Sequence, residues 1–335
     1  MKKNFFSPFS KTLGAAASIT GSVIGAGFIT GKEISVFICG DYSVAGIYLF
    51  FLFFLSFIFV LSLSGGRVLD KIVKPIIALI SVLTSSCMVA ALDVVYKSIL
   101  RDSEYFKILT IFTVILAIFI SVKGIEAMNI FALFAMPFVI LFSVILSCVF
   151  KENGYVPISP EGLRGIYFPV LYAGVNCLLS SRIIIDSTRE LTLKNKCLVS
   201  VCVSVFLTIC IFAISSCIKD KSGEMPFAKV VSKNIICSII FDIIMIFSIF
   251  TSLVSSVYTS FSVINGKTSA IKKIIVTLVF VSLSGFGFSK LVENIYPVTG
   301  VVGTIYFLAI VVSLKLSPKS LRLHTSRPQE YRVLR

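Results

Sequence analysis

Four glycines fall within eleven residues of one long apolar run, Gly21-Ser22-Val23-Ile24-Gly25-Ala26-Gly27-Phe28-Ile29-Thr30-Gly31. Each costs a helix roughly 1 kcal/mol relative to alanine, and together they spread around the helix instead of lining one packing face. Their chemistry is that of bare backbone. An unwound segment in a membrane frees peptide groups that lipid cannot satisfy, so protein, water or a bound solute must. The half-helix starting near Phe28 would direct N–H groups and a partial positive charge inward, suited to a carboxylate. The half-helix ending near Ser22 would offer carbonyls, suited to a cation. Close packing through small-xxx-small pairs, Gly21 with Gly25 and Gly27 with Gly31, is the alternative.

Two further sets of residues have chemical potential. Thr251, Ser255 and Thr259 recur four apart and so share one helix face, a row of hard oxygens without formal charge. Hydroxyls in membrane helices also bond their own i−4 carbonyls. Lys32, Glu33, Asp93 and Asp242 are the ionisable residues inside apolar spans, where charge is costly and usually functional. They are expected in the outer half as a vestibule or coupling charge. Snorkelling to the interface is the other reading, and it suits Asp93 and Asp242 better than Glu33. Arg182 with Asp186 could close an inner gate or anchor the helix.

The elements that position these groups are membrane spans. Of 335 residues 57% are hydrophobic and only 14% charged, unlike a soluble domain, and the apolar runs of about twenty residues suit helices crossing ~30 Å of hydrocarbon. Ten spans are expected near 11–39, 44–65, 74–96, 106–122, 126–150, 164–186, 196–217, 234–263, 270–287 and 291–315. The apolar run after Lys2 and Lys3 continues to Cys39, so it reads as a retained span and not a signal peptide. A short surface helix is expected over 224–234.

With both termini cytoplasmic, the inner segments hold 20 of the 31 basic residues and 5 of the 16 acidic ones, so the inner face carries the whole excess of +15. The charge is therefore a topology signal, and nucleic acid is excluded as a partner. The nine cysteines form no C-x-x-C pair, and the one histidine, His324, lies in the basic tail. No metal cluster or histidine relay follows, and no H-E-x-x-H or G-x-S-x-G motif points to an enzyme. No cofactor is expected from these residues.

Five spans per half is an odd number, so the halves would insert with opposite topology and span six should answer span one. Span six carries Pro169, Gly174 and Asn176, and a break is expected there. The fold expected is all-α with about ten transmembrane helices, in two inverted five-helix repeats with helices 1 and 6 broken. The first repeat covers 1–150, the second 151–317 and a cytoplasmic tail 318–335.

The stretch G-S-V-I-G-A-G-F resembles the first-helix glycine motif of the amino acid–polyamine–organocation superfamily and the matching segment of the leucine transporter and neurotransmitter:sodium symporters. V-I-G-A-G-F-I-T-G-K-E-I, with I-Y-P-V-T-G-V-V-G at 295–303, is similar to the YkvI-like family of bacterial membrane proteins. Lys32 stands where that family is expected to have glutamine. The resemblance implies a sodium site between the carbonyls of Gly21 and Ile24 and the hydroxyls of Thr251 and Ser255, one family threonine position being Val254 here. It implies a substrate site at Gly25, Ala26, Gly27 and Phe28, with the N–H groups of Ala26 and Gly27 meeting a carboxylate and Tyr172 and Asn176 lining the rest. Span five has no Lys or Arg, so the variant with a lysine in place of sodium is not expected.

The function expected is secondary active transport of amino acids or related small organic solutes by alternating access, coupled to a sodium or proton gradient, in the plasma membrane. A non-transporting solute sensor, similar to a spore-germination receptor permease-like subunit, is the alternative. The partners are then a small-molecule solute and the lipid bilayer, with a second copy of the chain or receptor subunits compatible with either reading.

Overall fold

The computed structural model describes residues 8–38, 43–64, 70–100, 103–151, 162–218, 225–262, 264, 269–286 and 288–316. The tail 318–335 and the charges of Lys2, Lys3 and Arg67 lie outside the described residues. Those residues form helices and connecting turns, with no strand among them.

The first span is α1 (Pro8–Val23), α2 (Ala26–Ile29) and α3 (Lys32–Phe37). It is followed by α4 (Val44–Ser64), α5 (Asp70–Ile99), α6 (Tyr105–Lys123) and α7 (Ile125–Val149). Then come α8 (Arg164–Thr188), α9 (Leu193–Ile218), the short α10 (Pro226–Val231), α11 (Ile235–Phe261), α12 (Ser269–Leu283) and α13 (Phe288–Leu316). Nine helices among the described residues are long and apolar enough to cross a membrane. The broken first helix supplies the tenth span of the expected plan.

Local chemistry places several helix ends. The Asn234 side chain accepts from the N–H groups of Ile236 and Cys237 at 3.0 and 3.2 Å, capping α11. Pro226 opens α10, where its missing N–H would be unpaired in any case. Lys196 at the start of α9 donates to the Ser62 carbonyl at 2.8 Å, tying α9 to the last turn of α4. The short helix foreseen over 224–234 exists as α10, but it is packed in instead of lying on the surface. Pro226, Phe227, Val230 and Val231 are buried, and Phe227 meets Phe241 of α11 edge-on at 5.5 Å.

The first helix and α8 sit at the centre, α1 against α7, α8, α9 and α11, and α8 against α13 and α4. Helices α6 and α12 lie outside, with Ile108, Ile111, Phe112, Ile271, Ile274 and Leu278 exposed, where hydrocarbon takes the place of protein. Phe53 and Phe57 of α4 meet Phe307 of α13 at 4.8 and 5.2 Å. Buried hydroxyls, from Ser81 and Ser143 to Thr188 and Ser215, mostly bond a carbonyl one turn back, which satisfies them without water.

Span six departs from the expectation. α8 is one unbroken helix from Arg164 to Thr188. Pro169 falls in its second turn, close to the end, where the lost hydrogen bond is least damaging. Gly174 is a packing residue. A Cβ on it would meet the Gly300 carbonyl and the Thr304 hydroxyl of α13, each at 2.7 Å. The Asn176 amide stays within the helix and donates to the Tyr172 carbonyl at 2.9 Å.

Candidate functional site

The first span comes apart at Ile24 and Gly25. Gly25 is extended, with φ −107° and ψ −165°, and its N–H turns to the Val23 carbonyl at 2.9 Å. The carbonyls of Gly21 and Ile24 are taken up by α11 instead. Ser252 donates to Gly21 at 3.0 Å and Ser248 to Ile24 at 2.8 Å. These four oxygens, neutral and hard, form a donor set that fits a monovalent cation once the hydroxyls turn their lone pairs inward.

A single turn, α2, follows the break, and its N–H groups at Ala26, Gly27 and Phe28 have no carbonyl one turn back to meet. Thr30 and Gly31 then interrupt the chain a second time. Gly31 has φ +75°, the left-handed region, and a Cβ there would come within 2.8 Å of Ile218 Cδ1. The Thr30 carbonyl accepts the Phe227 N–H of α10 at 2.9 Å.

Glu33 follows in the first turn of α3, and its side chain is buried. It folds back over Gly27. A Cβ built on Gly27 would fall on Oε1 of Glu33 and lie 2.6 Å from its Cγ and Cδ. Tyr172 of α8 donates to Oε2 at 3.0 Å, and the Tyr296 hydroxyl of α13 lies close to the same carboxylate. The Tyr172 ring is held by Phe37, stacked at 5.3 Å, and Phe50 at 5.4 Å. Three separate spans thus converge on one buried carboxylate beside the break.

The structure therefore brings together Gly21, Ile24, Gly25, Ala26, Gly27, Phe28, Glu33 and Tyr172. Lys32 is buried at the start of α3 beside them. Asn176 is buried one turn from Tyr172, with its amide nitrogen engaged by its own helix. Thr251 faces α1, since its Cβ lies 3.1 Å from a Cβ built on Gly21. The hydroxyls of Thr251 and Ser255 bond the carbonyls of Ser248 and Ser252 in α11, each at 2.9 Å. The row that reaches the broken backbone is instead Ser248 and Ser252. Asp93 accepts from Thr110 at 2.6 Å and joins α5 to α6, and Asp242 is half-buried on α11. Neither pairs with Glu33.

Ser248, Ser252 and Tyr296 are the residues that spacing alone did not single out as site groups. Ser248 and Ser252 are also four apart and so share a face of α11, and Tyr296 stands in the I-Y-P-V-T-G-V-V-G stretch, so a signal existed for each. At the other end of α8, Arg182 Nε donates to Asp186 at 2.7 Å and Tyr258 of α11 donates to the same oxygen at 2.6 Å. Beside them Lys11 and Glu190 approach at 3.4 Å.

Ser248→Ala strands the buried Ile24 carbonyl and is expected to lower unfolding stability by about 1–3 kcal/mol. Thr251→Ala removes a hydroxyl that serves only its own helix, and its cost is expected to stay below about 1 kcal/mol. Thermal unfolding of both variants in detergent gives the comparison. Equal costs would mean that Ser248 does not hold the break.

No family model matches the chain, and no curated protein matches it. Among solved structures it is similar to Mhp1, a nucleobase-cation-symport-1 family transporter in a closed conformation with bromovinylhydantoin bound. That likeness has a TM-score of 0.51 at 14% identity and covers 92% of this chain and 75% of that one. The chain is also similar to a manganese transporter of Eremococcus coleocola in complex with an aromatic bis-isothiourea substituted compound. There the TM-score is 0.45 at 10% identity, over 96% of this chain and 97% of that one. The first of these likenesses shows the fold: an all-α, multi-pass membrane protein of the leucine-transporter type.

Proposed function

We propose that this chain is a secondary active transporter of amino acids or related small organic solutes, coupled to a sodium or proton gradient. The observation that carries the reading is the broken first helix, whose Gly21 and Ile24 carbonyls meet the Ser252 and Ser248 hydroxyls of another span at 3.0 and 2.8 Å. Discontinuous helices of this kind are how secondary transporters present backbone to an ion and a solute. Mhp1, which shares the fold, is a nucleobase-cation-symport-1 family transporter. In this reading Gly21, Ile24, Ser248 and Ser252 would hold the sodium ion, with Thr251 and Ser255 behind them. The solute would contact Gly25–Phe28, Tyr172 and Asn176 once the site opens. The membrane is the plasma membrane, both termini are cytoplasmic, and the two halves are inverted repeats meeting near residue 150.

Alternating access then means that the contacts closing one end must part while the other end closes. The pair of Arg182 and Asp186 with Tyr258, and the Phe227 N–H on Thr30, lie at the two ends of the site. The first links α8 to α11 and the second links the first span to α10, so each can open without unfolding a helix.

The test is thermal unfolding of the purified protein with a panel of small organic solutes, in sodium chloride and in potassium chloride. A ligand binding only the folded state at ~100 times its dissociation constant adds ~2.7 kcal/mol. The expected result is a solute whose stabilisation is greater in sodium, with the difference abolished by Ser248→Ala combined with Ser252→Ala. A solute effect indifferent to sodium moves the reading to proton coupling or to a sensor. No shift from any solute in either salt overturns it.

A further inference from the structure

We propose that Glu33 is a proton-binding site tied to the break: its carboxyl carries a proton while the first span is closed and releases it to water when the span opens. The assignment rests on the alternating-access reading above and adds that closure takes up one proton. A proton needs no cavity, and the break as folded is packed shut. Ala26, Phe28 and Ile29 are fully buried, and Glu33 lies against Gly27 at 2% exposure.

The groups around the carboxyl come from four helices. Tyr172 of α8 donates to it at 3.0 Å, Tyr296 of α13 and Cys87 of α5 lie close to it, and Lys32 precedes it on α3. Phenols and thiols are uncharged near neutral pH, and side chains one apart on a helix do not face each other. From the other helices the carboxyl is therefore met by hydrogen-bonding groups and not by a counter-charge. Burying an ion in that way is strongly unfavourable, and a carboxyl so placed takes a proton instead. The neutral acid still accepts from Tyr172 and gains a donor of its own.

Opening reverses the balance. Glu33 lies in the first turn of α3, which follows α2 directly, while its phenols lie on α8 and α13. Movement of the first span away from those two helices parts the carboxyl from Tyr172 and admits water. In water the ionised form is favoured at any pH above about 4.3. The O–H bond then breaks, its electron pair stays on the carboxylate and the proton leaves on a water molecule. The closed state thus holds one proton more than the open state. The opening constant is expected to rise about tenfold per unit of pH, from about 4.3 upward for as long as the closed state keeps its proton.

Two measurements on the purified full-length protein test this. The first is infrared spectroscopy at about pH 6, where exposed carboxyls are ionised, in a detergent without carbonyl groups. The wild type is expected to show the carbonyl stretch of a protonated carboxyl, which shifts when isotope-labelled glutamate is incorporated and disappears in Glu33→Gln. Glu104, Glu126 and Glu190 are exposed, so they are not the source of such a band. The second is amide hydrogen exchange over residues 26–31, from about pH 5 to about pH 6.5. Dividing the wild-type rates by those of Glu33→Gln, which cannot ionise, cancels the intrinsic pH dependence of exchange. That ratio is expected to rise about tenfold per pH unit.

A ratio that stays flat overturns the proposal. So does a wild type without a glutamate-sensitive band, a result that needs no variant to fold. A band that persists in Glu33→Gln places the proton on another group and overturns it as well. None of these measurements uses a solute, so the transport reading is judged separately, by the solute panel and by flux.

Discussion

Gly27→Ala is expected to abolish solute binding and to lower stability by about 1–3 kcal/mol, although it adds one methyl group to a helical turn. On helix propensity alone the change from glycine to alanine is favourable. The opposite result is expected because the added Cβ falls on the Glu33 carboxylate, and a packed interior does not yield to an extra carbon without strain. To make room, Glu33 must leave the hydroxyls of Tyr172 and Tyr296, so a buried carboxylate loses its donors as well.

A double-mutant cycle separates the clash from any general fragility of the break. Glu33→Ala alone strands two buried phenols, but in the Gly27→Ala background it also removes the clash. The pair is therefore expected to cost less than the sum of the singles by about 0.5–3 kcal/mol. Additive costs, read from thermal unfolding, would show that Glu33 does not fold back over Gly27.

Gly174→Val is expected to have the second large effect, a destabilisation of about 3 kcal/mol or more with loss of solute binding. α8 and α13 cross backbone to backbone through three glycines. A Cβ on Gly303 would land on the Gly174 carbonyl, one on Gly300 would lie 2.8 Å from the Leu171 carbonyl, and one on Gly174 would meet Gly300 at 2.7 Å. Such close approach is how helices associate where lipid removes the hydrophobic drive. The partner atoms here are main-chain, so no rotamer change relieves the overlap.

The effect on binding follows from position. Tyr172 lies two residues from Gly174 on α8, and Tyr296 lies on the helix that carries Gly300 and Gly303. Prising the two helices apart separates the two phenols that share Glu33. Gly285→Ala is the control, because a Cβ there meets nothing within 4 Å, and its stability is expected to stay within about 0.5 kcal/mol of wild type. If Gly174→Val binds solute as the wild type does, the crossing does not set the site.

The break in the first helix was legible because four glycines in eleven residues contradict an apolar helix, and Gly25 and Gly31 indeed take up the non-helical conformations. The ten-span plan was legible from the length of the apolar runs. The hydroxyl row on α11 was harder. Ser248–Val257 is buried on every side, so no polar face fixes how the helix is turned, and Ser248 with Ser252 is as good a row by spacing as Thr251 with Ser255.

Span six carries a different lesson. Proline, glycine and asparagine in one helix signal a break only if nothing else needs them. Here Gly174 meets α13, and Asn176 bonds its own helix. A glycine that admits a neighbouring backbone and a glycine that unwinds a helix look alike until the neighbour is known. Glu33 was legible as costly charge inside a span, but its contact with Gly27 depends on the left-handed turn at Gly31, which sets α3 at a new angle to α2.

Flux measured in sealed proteoliposomes tests most directly whether solute crosses the membrane through this break. Purified protein is reconstituted, a sodium or pH gradient is imposed, and uptake of labelled solutes chosen by binding is followed. The account predicts accumulation above equilibrium under at least one gradient, falling below about a tenth in Gly27→Ala protein that remains folded. Solute that binds but is never accumulated under either gradient, or Gly27→Ala protein that transports as the wild type does, would contradict it.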